Sequence, residues 1–449
     1  MTEAKAKLKN QLWFAYIVFL TLWAMCVYNW LFQQIALHQF FAALDAEHRP
    51  YVSDFVNVYN SACLAAACLK GQTDIYSPAL QAAFAAKLTA PVVPEHPFYL
   101  QYPPFLFSLV SPLALFDMLG AWLVWCGLGL LALLGCCIYL MRAAVGGADA
   151  KINRFTFAFL LIATLASYPA WVSVRLGQTS LLLVPGLVAF WLACRRKRYF
   201  LAGLASGVAL VKLQYLPPIF MIGFILGTGH YLLGFLTIGC ALTALSYLIV
   251  GADNIMRFPH ALLSGESGKD VTGVAADQMQ NLRGNLTLFL GADNPVVPVL
   301  SLLAFATTLL ALLLLWWQYK KDTAAPLIKE RHFRVLAAIS TLLMLISSPH
   351  CHTQDYLALV VPCYWLWFEL DRFSNNTVSK SDKILKQLIL LFPIIGWPLF
   401  MLLPFIQVLL KIQPFFLWAV LVTVLSFAHY NRLLKQSNDA VSSADKPGE

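Results

Sequence analysis

Residues 180–211 read SLLLVPGLVAFWLACRRKRYFLAGLASGVALV, two uncharged apolar runs separated by four consecutive cations, Arg195, Arg196, Lys197 and Arg198. Each run approaches the length at which an α-helix crosses the hydrocarbon core of a bilayer. The cations between them mark a cytoplasmic turn, because short cytoplasmic loops collect Lys and Arg. The same alternation continues in both directions, and the whole chain is 60% hydrophobic and only 12% charged, far outside the soluble norm. Strand-length alternation is absent, which leaves helices to satisfy the backbone in lipid. The sequence therefore predicts an all-α polytopic membrane protein with about twelve transmembrane helices.

Spans are expected at 12–32, 120–141, 155–172, 179–194, 199–213, 215–229, 231–250, 295–319, 335–349, 353–370, 386–410 and 414–431. The run Leu12–Phe32 follows Lys5, Lys7 and Lys9 but is too long for a signal-peptide core and has no small-residue cleavage site, so it is read as the first span. Pro104–Phe116 is apolar but too short to cross, and is read as a re-entrant or interfacial piece. With both termini cytoplasmic, the inner segments hold 22 of the 31 Lys and Arg residues. Counting Pro104–Phe116 as a span would place Arg195–Arg198 outside, against the charge rule. Residues 1–435 then form one membrane domain with two long outer loops, 33–103 and 251–294, and the polar tail 436–449 is expected to be disordered. The net charge of +9 serves orientation, since no basic stripe interleaved with aromatics suggests nucleic acid. Ten scattered cysteines show no metal spacing; Cys63, Cys68 and Cys351 fall in outer loops, where a disulfide is allowed but not indicated.

Ionisable groups are costly in and beside lipid, and here they converge on the outer side: Arg175–Gln178, Lys212–Gln214 and His350–Asp355, with the two long loops. In the first loop, Ser53 and Asp54 precede Phe55, Val58, Tyr59, Ala62, Ala66 and Leu69 at helical spacing. This predicts a helix over 55–70 lying at the membrane surface and stopped by Gly71. Ser77-Pro78 opens a second helix, running to about Leu88. Tyr102-Pro103-Pro104 then forces extended backbone. Asp54 reads either as a helix cap or as a general base at the membrane boundary.

These residues occur in an order that resembles glycosyltransferase family 87. The resemblance runs through Asp54-Phe55…Tyr59…Ala62, Lys70-Gly71…Ile75-Tyr76, Tyr102-Pro103-Pro104…Ser111-Pro112-Leu113 and Gly177-Gln178-Thr179-Ser180. It continues with Ala202-Gly203…Gly207…Lys212…Pro217, Gln280-Asn281-Leu282-Arg283-Gly284, and Ser348-Pro349-His350 with Asp355-Tyr356. It covers roughly residues 12–370, and the remainder adds only spans. Thr179, Lys212-Leu213-Gln214 and Gln280-Asn281-Leu282 depart from the family pattern, which bears on the sugar and the acceptor more than on the class. The resemblance implies the GT-C architecture, with helices of the first outer loop beside the membrane. It also implies a place in the bacterial inner membrane, with the active site facing the periplasm. The reaction it implies is transfer of mannose or arabinofuranose from a polyprenyl-phosphate donor to a lipid-linked or cell-envelope acceptor. An acid of the first outer loop, Asp54 here, would be the catalytic base.

The chemistry asks for few groups. A base takes the proton of the attacking hydroxyl, and cations stabilise the departing phosphate; the candidates are Lys212, Arg283, His350 and Arg175. Displacement with a single base predicts inversion, whereas retention needs a second carboxylate, for which Asp355 is the one candidate. Tyr102, Gln178, Gln214, Asn281, His352 and Asp355 are candidate substrate contacts. Each has a plainer reading: Lys212 snorkelling to the interface, Arg283 paired with Asp277 or Glu266, Gln178 capping a loop. His350, His352 and Asp355 could hold a divalent ion but lack a fourth ligand, so no metal or other cofactor is expected. A transporter or lipid flippase is the alternative, but no internal repeat supports it. A ligase moving a whole glycan differs only in donor.

Overall fold

The computed structural model describes residues 13–29, 41–44, 50–71, 74–92, 100, 102–145, 154–267, 279–291, 293–371 and 379–444. They are helical apart from one antiparallel ribbon in the first loop, β1 (Ala42–Leu44) with β2 (Pro50–Val52), which sequence patterning did not suggest. Helix α1 (Trp13–Asn29) leads to it. The helices after the ribbon are α2 (Asp54–Cys68), α3 (Pro78–Thr89), α4 (Pro104–Val110), α5 (Met118–Val145), α6 (Arg154–Ala166), α7 (Tyr168–Arg175), α8 (Ser180–Arg195) and α9 (Tyr199–Ser206). Next come α10 (Leu216–Val250), α11 (Ala252–Ser267), α12 (Leu282–Leu290), α13 (Val296–Lys321) and α14 (Pro326–Ser347). The chain closes with α15 (Val360–Asp371), α16 (Lys380–Met401), α17 (Leu403–Leu410) and α18 (Pro414–Ala444).

Among the described residues four helical stretches are long and apolar enough to cross a membrane: Met118–Ala143, Leu213–Val250, Val296–Lys321 and Pro414–Gln436. A fifth arises if α6 and α7, bent by 48° where Ser167 caps the second helix, count as one span. The stretch ending at Val250 is itself two helices. A straight helix would hold Phe220 and Phe235 about 22 Å apart, yet their ring centroids lie 5.1 Å apart. The reversal is at Thr228, whose φ of 44° and ψ of −117° are non-helical. Segments 216–227 and 229–250 are therefore antiparallel, in keeping with the separate runs read from the sequence. The run 199–213 is less regular than expected: α9 gives way to 3-10 turns at Gly207–Val211 and Leu213–Tyr215. Residues 436–444, expected to lack structure, continue α18; the last five residues lie outside the described part.

The first loop folds largely as its residue types dictate. Gly71 takes a φ of 94° just past α2, and Ser77 accepts a hydrogen bond from Leu80 N at the start of α3. Helix α2, however, is no surface helix with one wet face. Phe55, Val56, Val58, Tyr59, Asn60, Ser61, Ala62, Leu64 and Ala65 are all buried, because α3, α4 and the 3-10 turn Ser111–Leu115 pack around it. That turn and α4 are the short apolar stretch read as re-entrant.

Close packing follows from small residues and from indoles whose N–H groups find partners. Trp191 and Trp316 stack at 5.5 Å and donate to Thr341 Oγ1 and Ser340 Oγ at 3.2 and 2.9 Å, joining α8, α13 and α14. Helix α9 meets the second segment of α10 backbone to backbone. A Cβ on Gly203 would stand 2.2 Å from the Tyr231 carbonyl oxygen, and one on Gly234 2.1 Å from that of Phe200. Such approach is how helices associate where lipid removes the hydrophobic drive.

Most of the ion pairs among the described residues lie at one end of the long helices, Lys212–Asp355 and Arg257–Asp74 being elsewhere. Arg195 pairs with Glu330 (2.5 Å), Arg331 with Glu369 (2.6 Å), His332 with Asp322 (2.8 Å), and Asp382 with His429 and Arg432. They draw on the C-terminal ends of α8, α13 and α15, the N-terminal ends of α14 and α16, and the second half of α18. The opposite ends of α8, α15 and α14 lead to Ser180, Asp355 and His350. The 22 residues of α14 separate the two polar regions by about 33 Å.

The crossing of α9 and α10 carries a prediction. Gly203→Ala forces backbone apart and should cost about 1–3 kcal/mol, read as a lower melting temperature in detergent. Gly239→Ala, whose Cβ would meet nothing within 4 Å, should leave the melting temperature unchanged or raise it.

Candidate active site

The site begins with a backbone that only glycine permits. Gly177 has a φ of 61°, and a Cβ there would stand 2.6 Å from the Phe55 ring, so the turn after α7 lies flat on the first residues of α2. Three bonds fix that turn: Gln178 N to Ser173 O (2.8 Å), Trp122 Nε1 to Val174 O (3.1 Å) and Trp125 Nε1 to Gly177 O (2.9 Å). Gln178 is thereby brought beside Asp54, and its Nε2 donates to Asp54 Oδ2. The cap of α2 is Ser53, which makes no side-chain cap bond, and Asp54 is the first residue of the helix proper. Its carboxylate is therefore not engaged in capping; among the described residues Oδ1 accepts no hydrogen bond. Burial pushes the Asp54 carboxyl above the ordinary carboxylate range, while the Gln178 hydrogen bond and the nearby Lys212 charge act against it. Burial raises the Tyr102 phenol too, and the Asp54 charge adds to that.

Lys212 occupies the break between the two 3-10 turns, at φ −131° and ψ 86°. It does not snorkel. Its side chain is 12% exposed and its ammonium pairs with Asp355 Oδ1, donating also to Ser180 Oγ at 3.1 Å. Ser180 donates to the same carboxylate oxygen at 2.9 Å, and the His352 N–H donates to Oδ2 at 3.1 Å. Asp355, only 1% exposed, thus has both oxygens occupied. It cannot serve as the nucleophile of a retaining mechanism, or as a substrate contact, without breaking this network.

The His350 loop is held from several sides. Gln214 Nε2 donates to His350 O (3.1 Å), Arg283 Nη1 to Pro349 O (3.3 Å) and Asn281 Nδ2 to Ser348 O (2.6 Å). Asn281 also accepts from Gly284 N at 2.9 Å and is fully buried. It clamps α12 to the His350 loop. The side chain of Gln214 is likewise engaged in holding that loop. His350 itself is half-buried. Burial, together with the charges of His352, Arg283 and Lys212 and against the pull of Asp355, pushes its imidazole down to about 3. The His350 and His352 rings meet edge to face at 5.3 Å. Among the described residues no group of three or more His, Cys, Asp or Glu side chains is placed to hold a metal ion, and all ten thiols are free.

Arg283 is half-buried and has no carboxylate partner among the described residues. The pairing with Asp277 or Glu266 left open by the sequence falls on side chains outside them. Arg175 ends α7, half-buried.

Two contributors are not among the candidate site residues, although Ser180 stands in the Gly177–Ser180 motif. Ser180, placed at the start of α8, bridges Lys212 and Asp355. Gln413, between α17 and α18, exchanges hydrogen bonds with Gln280 (2.7 Å) and with Asn285 Oδ1 (2.9 Å), so the C-terminal helices are tied to the site and are more than added spans.

The sequence pattern of glycosyltransferase family 87 matches residues 99–349, a stretch that holds Tyr102, Arg175, Gln178, Lys212, Gln214, Asn281 and Arg283. The chain is also similar to a polyprenol-phosphate-mannose-dependent alpha-(1-2)-phosphatidylinositol pentamannoside mannosyltransferase of Mycobacterium tuberculosis (strain CDC 1551 / Oshkosh). The two are 27% identical over 275 residues, 61% of this chain and 59% of that protein, so the chain spans about three-fifths of the relative it matches. No solved structure matches.

The buried pair makes an asymmetric prediction. Lys212→Met leaves Asp355 buried and uncompensated and should cost about 3–5 kcal/mol. Lys212→Met with Asp355→Leu removes both charges and should recover much of that stability. Thermal unfolding of the three proteins in one detergent tests it; equal losses in single and double variants would show that the pair contributes no mutual compensation.

Proposed function

The chain belongs to glycosyltransferase family 87, and from that premise we propose that it transfers mannose from a polyprenyl-phosphate donor to a lipid-linked acceptor with inversion, using Asp54 as general base. The observation that carries this reading is Asp54 itself: a largely buried carboxylate, raised above its ordinary range, held by Gln178 and accepting no hydrogen bond at its second oxygen among the described residues. A base of that kind can take a hydroxyl proton without already being saturated by the protein.

In the proposed reaction Asp54 Oδ1 accepts the proton of the acceptor hydroxyl as its oxygen attacks the anomeric carbon. The bond between that carbon and the phosphate oxygen breaks, and polyprenyl phosphate leaves with the electron pair. Arg283, which has no carboxylate partner among the described residues, is the group suited to the growing phosphate charge. Lys212, neutralised in part by Asp355, supplies positive potential near Asp54 and keeps that carboxylate available for ionisation. Neutral His350 can donate or accept a hydrogen bond but adds no charge. Tyr102, beside Asp54, offers a ring for the sugar, and Arg175 a second cation for the phosphate.

The relative's name specifies polyprenol-phosphate mannose, which favours mannose and a lipid-borne acceptor here. The membrane arrangement that goes with the proposal is a GT-C architecture of about twelve spans, with both termini in the cytoplasm and the Asp54 region on the outer face of a bacterial inner membrane. The division of the long helices between an ion-paired end and a site end supports that orientation.

The test uses purified protein in nanodiscs, labelled polyprenyl-phosphate mannose and a bacterial lipid extract as acceptor. Wild type should release polyprenyl phosphate and form labelled glycolipid, and Asp54→Asn should lose about 10²–10⁴-fold in turnover while keeping its melting temperature. Activity should fall as pH drops through the Asp54 pKa, along a limb above the ordinary carboxylate range. Gln178→Leu removes a bond that lowers that pKa, so its limb should move to higher pH. An Asp54→Asn protein as active as wild type would remove Asp54 from the reaction. Energised movement of a solute in place of sugar transfer would overturn the transferase reading.

A further inference from the structure

On the far side of the molecule from Asp54, the C-terminal halves of helices α5 and α8 border a cleft. It is also bordered by the start of α9 and has a volume of about 560 Å³. Small residues make this space: Ala132 and Gly135 on one face of α5, Ala189 and Ala193 on one face of α8. The spacing on each helix is three or four residues, so the cleft runs along the helix axes. Gly135 faces open space, since a Cβ there would meet nothing within 4 Å. Ala132, Gly135 and Ala189 are exposed, so the cleft opens sideways from the protein, toward what would be lipid.

One end of this apolar cleft is charged. Arg196 and Arg198 line it, and both are exposed, as are Lys197 and Arg142 nearby in sequence on the same two helix ends. Among the described residues none of these four cations pairs with a carboxylate, in contrast to Arg195, which is held by Glu330. Helix α8 stops in a turn with Lys197 at a left-handed φ of 56° and Arg198 N bonded back to Ala193 O at 2.9 Å. This is the hydrogen-bonded stop usually given to glycine, and it sets Arg196 and Arg198 on either side of the turn. The Arg196 guanidinium lies 4.9 Å from the Tyr139 ring centroid and donates to its hydroxyl, which anchors the cation at the rim.

We propose that this cleft binds an anionic phospholipid, one acyl chain lying between α5 and α8 and the phosphate meeting Arg196 and Arg198. A dry apolar slot open to the bilayer accepts a hydrocarbon chain and not water, which needs polar partners. Unpaired cations at the slot's mouth select an anionic headgroup over a zwitterionic one. A docked protein helix would satisfy the apolar walls but would have to bring carboxylates to the same rim, and free phosphate would use the rim and ignore the walls. The inference is independent of the transferase reading and concerns the opposite end of the same helices.

The experiment places the full chain in phosphatidylcholine nanodiscs containing traces of phosphatidylglycerol or phosphatidylcholine with a photoactivatable diazirine on one acyl chain. After irradiation, labelled peptides are mapped. The phosphatidylglycerol probe should label the α5 and α8 peptides roughly tenfold more than its phosphatidylcholine counterpart. Arg196→Gln with Arg198→Gln should bring the two probes to equal labelling. Gly135→Leu, which fills open space without a clash, should cut labelling by both while leaving the melting temperature unchanged. Equal labelling by both probes in wild type would overturn the proposal. So would labelling indifferent to Gly135→Leu, or labelling abolished by excess inorganic phosphate alone. A second copy of the chain protecting these peptides from either probe would also overturn it.

Discussion

The buried ion pair between Lys212 and Asp355 is the constraint on which the site depends. Two charges removed from water must each find the other, with further hydrogen bonds to complete them. Ser180 and the His352 N–H supply those bonds. To deliver the ammonium, α9 cannot continue as a regular helix; it breaks into 3-10 turns with Lys212 between them. To receive it, the segment after His352 starts as a 3-10 helix before α15 takes over. The irregular backbone thus lies where it borders the polar site, which is where membrane proteins tolerate non-helical segments. Asp54 feels the same ammonium from the other side, and its ionisation is set between burial and that charge.

Much of this was legible in the sequence, because hydrophobic run length and cation position are direct consequences of a bilayer. The reversal at Thr228 falls between the apolar runs 215–229 and 231–250, and the stop at Gly71 and start at Ser77-Pro78 follow from local backbone chemistry. Pattern reading failed where tertiary packing overrode it. Helix α2 looked amphipathic for want of large residues on its second face, but Ala, Ser and Asn there are small enough to be enclosed by α3 and α4. Asn281 and Gln214 read as ligand contacts because polar residues beside a membrane suggest function, and the loops that their amides hold in place are not legible there. The burial of His350 likewise leaves no record in the sequence. Ser180 stands in the Gly177–Ser180 motif but its role as a bridge is invisible there, and Gln413 is an ordinary polar residue at the end of an apolar run; their partners Asp355, Gln280 and Asn285 lie more than a hundred positions away.

The two ends of the long helices solve opposite electrostatic problems. At the Glu330 and Asp382 end, carboxylates and cations are matched in short pairs, and the extra cations of the 195–198 turn remain exposed. At the Asp54 end one buried pair, Lys212 with Asp355, is completed, and around it stand groups whose capacity is not used up among the described residues: one oxygen of Asp54, and the Arg283 guanidinium beyond its bond to a carbonyl. A protein needing only stability would have little reason to bury Asp54 so, since apolar side chains of similar volume would fill the place without the desolvation penalty. Gln178 offsets only part of that penalty, and it does so through one oxygen. The arrangement fits the proposed role: a carboxylate whose burial keeps it basic, with positive potential close enough to favour ionisation but already committed to a different acid.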